Sequence, residues 1–143
     1  MKHEDYMKLA LQEARYAYDE GEIPVGAVVV CQERVIARAH NLCERLQDVT
    51  AHAEIQAITA AASWLGAKYL TDCTLYVTVE PCTMCAGAIA WAQCARVVYG
   101  ASDPKRGYTV LAPLAMHPKT EVIGGVLSED CAALVKSFFQ AKR

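Results

Sequence analysis

The chain has 143 residues, of which 54% are hydrophobic and 21% charged, and 14 Lys and Arg stand against 16 Asp and Glu for a net charge of −2. That length matches the commonest size of one folded unit, and the apolar content excludes a disordered chain. The missing basic excess excludes a protein that holds nucleic acid by bulk electrostatics, so a polynucleotide would have to be gripped on a local patch.

In chain order, Lys2–Glu20 sets Met7, Ala10, Leu11, Ala14, Ala17 and Tyr18 at helical spacing, and Gly21 suits a helix stop. Val25–Cys31 and Val35–His40 are rich in Val and Ile and flank Gln32-Glu33-Arg34, which predicts a hairpin. Asn41–Ala51 is polar and reads as a loop. From His52 to Leu65, the residues Ile55, Ile58, Ala62 and Leu65 recur at three and four, a helix with Gly66 just beyond it. Thr74–Val79 is a β-type run, and Pro81 opens an apolar helix over Cys82–Gln93, as proline favours helix starts. Arg96–Gly100 reads as a strand, and a strand–helix–strand unit of this spacing predicts a parallel pair. Residues 101–119 read as irregular, with Pro104, Pro113 and Pro118; Glu121–Ile123 forms a last short strand, and Ser128-Glu129-Asp130 reads as the cap of a helix running to Gln140. The sum is an α/β fold over residues 1–143, a mixed five-stranded sheet with helices on both faces.

Seven cysteines are an odd number, and the polar start Met1-Lys2-His3-Glu4-Asp5 is followed by no apolar run of signal-peptide length. A complete disulfide framework would need an even count and a secreted context. The longest strongly apolar stretches, Val25–Cys31 and Ala86–Ala92, fall far short of the roughly 20 residues that span a bilayer. A cytoplasmic protein with no membrane contact is expected, its cysteines serving as core residues or metal ligands.

One pattern carries chemistry: His52-Ala53-Glu54 opening one helix and Glu80-Pro81-Cys82-Thr83-Met84-Cys85 opening the next. Cysteines three apart at a helix start point their thiols the same way, and the helix N-terminus stabilises the thiolates that bind metal. One imidazole and two thiolates suit zinc, and three protein ligands leave the fourth position for water, as in a catalytic site. Glu54, in the same first turn as His52, can reach that water without being a ligand. Zinc lowers the pKa of such a water to about 7, and an adjacent carboxylate can move the proton. Other readings of the same residues are a closed structural zinc site with Cys73 or Cys94 as fourth ligand, and a redox Cys-x-x-Cys that leaves His52 and Glu54 idle. A metalloprotease is excluded, since His52 is not followed by the Glu-x-x-His it needs.

Together the two halves resemble the signature of the zinc nucleobase deaminases. Glu22–Ala27, Asn41, Asp48–Glu54, Leu75–Ala88, Arg96–Ala101 and Cys131–Leu134 are similar, more closely, to the bacterial tRNA-specific adenosine deaminases of the cytidine/deoxycytidylate deaminase superfamily. The resemblance runs over nearly the whole chain. It implies the three-layer α/β/α cytidine-deaminase-like fold, a homodimer, one Zn2+ per chain, and hydrolytic conversion of the wobble adenosine of a tRNA anticodon arm to inosine. It further implies His52, Cys82 and Cys85 as zinc ligands and Glu54 as the proton shuttle. Asn41, Ala53, Pro81, Asp103 and Phe139 are implied as substrate-binding residues, Asn41 at the base, Asp103 at a neighbouring nucleotide and Phe139 by stacking.

Asn41, Asp103 and Phe139 each have an ordinary alternative: a loop-turn Asn, an Asp-Pro turn, a core aromatic. The apolar excess fits a covered dimer surface. After Asp103–Gly107 the chain departs from that family, with Gly107–Val110 and a short Leu111–Thr120 where tRNA contacts are expected. Ala90-Trp91-Ala92 is similar to relatives acting on free guanine, or is an apolar helix face in the core or a dimer contact. A small-substrate deaminase of guanine, cytosine or a nucleoside is therefore the alternative enzyme, and a zinc-stabilised binding module the alternative outside catalysis. Residues 1–72 hold 7 basic and 11 acidic side chains and residues 73–143 hold 7 and 5. A phosphate-binding patch is accordingly expected from Lys105, Arg106, Lys119, Lys142 and Arg143.

Overall fold

In the computed structural model, which describes residues 1–142, the elements follow in the order α1 (His3–Asp19), β1 (Gly26–Cys31), β2 (Arg34–His40), α2 (Cys43–Leu46), α3 (Ala53–Leu65), β3 (Cys73–Val79), α4 (Thr83–Ala92), β4 (Arg96–Ala101), α5 (Tyr108–Leu111), β5 (Glu121–Ile123) and α6 (Ser128–Ala141). The five strands form one sheet in the order β2-β1-β3-β4-β5. β1 pairs antiparallel with β2 and β3, whereas β3–β4 and β4–β5 are parallel.

Strand alternation divides the core into two halves. Ala27 and Val29 of β1, Leu75 and Val77 of β3 and Val97 of β4 face α3 and α4, where they meet Ala53, Ala57, Ala61 and Ile89. Val28, Val30, Tyr76 and Val98 face the other way, onto Tyr6, Met7, Ala10 and Leu11 of α1 and Cys131 of α6. Central strands covered on both sides must be apolar at every position, which is why β1 reads as an unbroken hydrophobic run. The three-layer α/β arrangement expected from the sequence is the one observed.

The β1–β2 hairpin closes on Gln32 and Glu33, both left-handed at φ 51° and 64°. Three local expectations are corrected. Asn41–Ala51 is not all loop: it contains α2. Residues 101–119 are not all irregular: they contain α5. Ser128 is the first residue of α6 rather than its cap, the cap position falling on left-handed Leu127 with no side-chain bond. Both short helices are held by distant carboxylates, which local sequence does not display. Glu22 accepts the Glu44 and Arg45 N–H groups of α2 at 2.9 and 2.8 Å, and Glu80 accepts the Thr109 N–H of α5 at 3.1 Å. Among the described residues, no helix is long and apolar enough to cross a membrane.

Candidate active site

β3 ends at Val79, Glu80-Pro81 turns the chain, and α4 leaves from Cys82 as its cap residue. The start of α3, with His52 at its cap position, lies beside it. A sheet of this type offers its binding crevice at the carboxyl ends of its parallel strands.

Three donor atoms meet there: His52 Nδ1, Cys82 Sγ and Cys85 Sγ lie within 4.8 Å of one another, the one such group among the described residues. His52 Nδ1 stands 3.7 Å from Cys82 Sγ and 3.5 Å from Cys85 Sγ. Tetrahedral zinc, with bonds of about 2.0 Å to nitrogen and 2.3 Å to sulfur, places such atoms about 3.6 Å apart. The donor set therefore fits zinc in chemistry and in spacing. Cys73 and Cys94 are not in the group, which removes the closed four-ligand alternative. Cys73 instead opens β3 at the far end of that strand, opposite Cys31.

The electrostatics suit a cation. A hydrogen bond from Cys85 holds Cys82 as a thiolate, pushed down to about 4, with a further hydrogen bond from His52. That shared proton, together with burial, raises Cys85. His52 is raised, first by its hydrogen bond with Cys82. Both cysteines sit in the first turn of α4, whose unpaired N–H groups favour negative charge. Glu54, 4% exposed, is pushed by burial from 4.5 up to about 7. A carboxyl poised near neutrality beside a metal group is equipped to take and return protons.

His52, Cys82 and Glu54 line a cleft of about 700 Å³ together with Glu22, Val25, Asn41, Cys43, Asp103 and Phe139, and Cys85 is buried behind them. Asn41 Oδ1 accepts the Ala53 N–H at 2.7 Å, securing the start of α3. Its amide NH2 makes no hydrogen bond among the described residues. Asp103 lines the cleft, but its Oδ1 accepts the Lys105 and Arg106 N–H groups at 3.1 and 3.0 Å, so the turn-forming reading also holds.

Phe139 is 47% exposed at the cleft and Phe138 only 6% exposed, with its ring edge-on to Tyr18. Ala53 and Pro81, expected to touch substrate, are buried and not among the lining residues; Ala53 is core and Pro81 accepts the Tyr108 N–H through its carbonyl. Trp91 is 83% exposed, which excludes the core reading of that helix face. Of the expected phosphate patch, Lys105, Arg106, Lys119 and Lys142 are exposed, and Arg143 lies outside the described residues.

Two residues at this site carry roles that the sequence did not reveal. Glu22 and Glu80 are both almost fully buried. The signal was present: Glu80 closes a run of buried strand residues immediately before the metal motif, where a charge needs partners.

Comparison with known proteins agrees with this geometry. The family model of the MafB19-like deaminases matches residues 1–143. The tRNA-specific adenosine deaminase of Bacillus subtilis is 45% identical over 143 residues, covering 96% of this chain and 89% of that protein. A solved structure from studies of A-to-I editing by tRNA:A34 deaminases at the wobble position of transfer RNA superposes with a TM-score of 0.85 and 45% identity, over 91% of this chain and 98% of the other. The guanine deaminase of Bacillus subtilis superposes with a TM-score of 0.69 at 40% identity, over 82% and 72%.

Proposed function

Because this chain belongs to the MafB19-like deaminase family and stands among the tRNA-specific adenosine deaminases, we propose that it hydrolyses the wobble adenosine of a tRNA anticodon to inosine and ammonia. The observation that carries the reading is the meeting, at the wall of one cleft, of three donors at zinc spacing with a buried carboxyl raised to about 7. His52, Cys82 and Cys85 hold one zinc ion per chain. Zinc bound there supplies a water acidic enough to act as nucleophile at neutral pH.

Glu54 does the proton work. Its carboxylate takes one proton from the attacking water and gives it to the purine ring nitrogen, then takes the proton of the hydroxyl added to the base and gives it to the amine that leaves as ammonia. Asn41 orients the base. Its Oδ1 is committed to Ala53, so its NH2 is the end free to donate to an acceptor on the purine edge. Phe139, exposed at the rim, offers a ring on which a splayed anticodon base can stack. Residues 1–143 act as one catalytic domain, in the cytoplasm with its tRNA.

The enzyme is a homodimer. Met84 and Trp91, two turns apart on α4, and Val110 and Leu111 of the adjoining α5 are exposed, as is Leu114 just beyond them. So many large apolar side chains in neighbouring elements match a covered interface. Light scattering should give twice the chain mass; a monomer at working concentration would contradict it.

The deciding assay incubates the zinc-loaded protein with an anticodon stem-loop carrying adenosine at the wobble position and, in parallel, with free guanine and free cytosine. Inosine in the stem-loop is expected. Rapid turnover of guanine with an untouched stem-loop would replace this reading by the second one, which the guanine deaminase likeness favours.

A further inference from the structure

Glu80 directly precedes Pro81-Cys82 and lines the same cleft, yet its carboxylate is outside the donor group and bonds to a different segment. Oε1 accepts the Asp103 N–H at 3.1 Å, and Oε2 accepts the Thr109 N–H at 3.1 Å and the Thr109 hydroxyl at 2.6 Å. The backbone repeats the connection. Glu80 N–H donates to the Ala101 carbonyl at 2.8 Å, Tyr108 N–H donates to the Pro81 carbonyl at 2.9 Å, and Cys82 bridges Gly107 in an antiparallel pair. Even the glycine is explained, since a Cβ at Gly107 would fall 2.3 Å from Glu80 Oε2. Residues 80–82 and 103–109 are thus zipped together along both backbone and side chain.

The zip has a geometric consequence. The 103–109 segment lies outside the regular sheet, running from just beyond the end of β4 into the start of α5. Asp103, which lines the cleft, is its first held residue. With its main chain tied to Glu80 and its side chain folded onto the Lys105 and Arg106 N–H groups, Asp103 has one position relative to Cys82. Three of the roughly four acceptor sites of this buried carboxylate are taken by Asp103 and Thr109, which commits it to holding the segment.

We propose that Glu80 is a positioning residue for the nucleic acid: it fixes the 103–109 wall at a set distance from the metal motif, so that the cleft accepts a base still attached to its strand. This rests on the tRNA reading above. It assigns Glu80 to substrate placement and not to metal retention or chemistry.

Two substitutions isolate the effect. Glu80→Gln keeps the shape but brings one NH2, which must oppose a backbone N–H whichever way the amide turns. Thr109→Val removes only the hydroxyl donor and leaves both backbone bonds. Zinc content, thermal melting, KM and kcat on the wobble-adenosine stem-loop are measured for both beside the wild type. Misplacement of a bound group by about 1 Å costs up to about a hundredfold. Glu80→Gln should raise KM by about tenfold and Thr109→Val by less, with zinc content and kcat close to wild type. Unchanged KM in both variants overturns the proposal, as does loss of zinc in Glu80→Gln, which would make the carboxylate part of the metal site. Should Glu80→Gln fail to fold, the KM of Thr109→Val decides alone. A wild-type enzyme that leaves the stem-loop untouched refutes the tRNA reading instead, so the two failures are distinct.

Discussion

Glu54→Gln should make this protein more stable and nearly inactive at once. Burial raises the Glu54 carboxyl from 4.5 to about 7, so the folded protein holds its proton more tightly than the unfolded chain. Stability from that proton is fully present below the unfolded value and is lost as pH rises through the folded one. At about 1.4 kcal/mol per pKa unit, the loss amounts to about 1 kcal/mol at pH 5 and about 3 kcal/mol at pH 8. Glutamine has the same shape and does not ionise, so the variant escapes the loss.

For a domain of this size, 3 kcal/mol corresponds to about 10 °C in melting temperature. The assay is thermal unfolding of metal-stripped wild type and Glu54→Gln at pH 5 and pH 8, with zinc content and activity measured on the reloaded proteins. The variant should melt about 10 °C higher at pH 8 and only slightly higher at pH 5. It should retain zinc, since the carboxylate is outside the donor group, and lose about 100- to 10,000-fold in rate. A variant that melts below wild type at pH 8 refutes the burial argument, and one that loses zinc refutes the shuttle role.

Gly26→Ala should destabilise the protein by about 3 kcal/mol in chemical denaturation, because the added Cβ would lie 2.0 Å from the Ala10 carbonyl oxygen and 2.4 Å from Ala14 N, backbone atoms of α1 that no rotamer change can clear. Phe138→Ala and Phe139→Ala should separate: the buried ring costs about 3 kcal/mol of stability, whereas the exposed one leaves the melt unchanged and weakens stem-loop binding by about 1 kcal/mol or more in fluorescence titration. Lys105→Glu combined with Arg106→Glu should weaken stem-loop binding and flatten its salt dependence with zinc content unchanged, and an unaltered affinity would place the phosphate contacts elsewhere.

Most of the fold was legible because its signals are local. The Val-rich β-type runs of β1 and β3, the three-and-four spacing in α1 and α3, and Pro81 ahead of α4 each act within a few residues. The metal donors were legible in the same way: Cys82 and Cys85 share one helical turn by their spacing alone. His52 is thirty residues from Cys82, so spacing does not join it to them; the chemistry of the donor set and the resemblance did so before the structure. What stayed hidden depends on distant partners. The short helices α2 and α5 lack the length and the local caps that announce a helix. They form because Glu22 reaches Glu44 and Arg45 and Glu80 reaches Thr109. Ser128 looked like a cap by residue type, but the backbone turns at Leu127, which leaves the serine inside the helix.

The same buried carboxylates bear on how an acidic chain can meet an anionic substrate. Five carboxyl groups line the cleft, those of Glu22, Glu44, Glu54, Glu80 and Asp103. Glu22 and Glu80 are each offset by two backbone N–H dipoles, and Glu80 by the Thr109 hydroxyl as well. Asp103 is turned onto two further N–H groups, and Glu54 keeps its proton to about pH 7. Three of the five are thus faced by protein N–H dipoles that partly offset their charge, and the fourth by a bound proton. Lys142 at the cleft and Lys105 and Arg106 beside Asp103 are exposed, and none of them forms an ion pair with these acids among the described residues. The net charge of −2 thus says little about the field at the cleft, where acids are spent on holding loops and bases remain free to meet the strand.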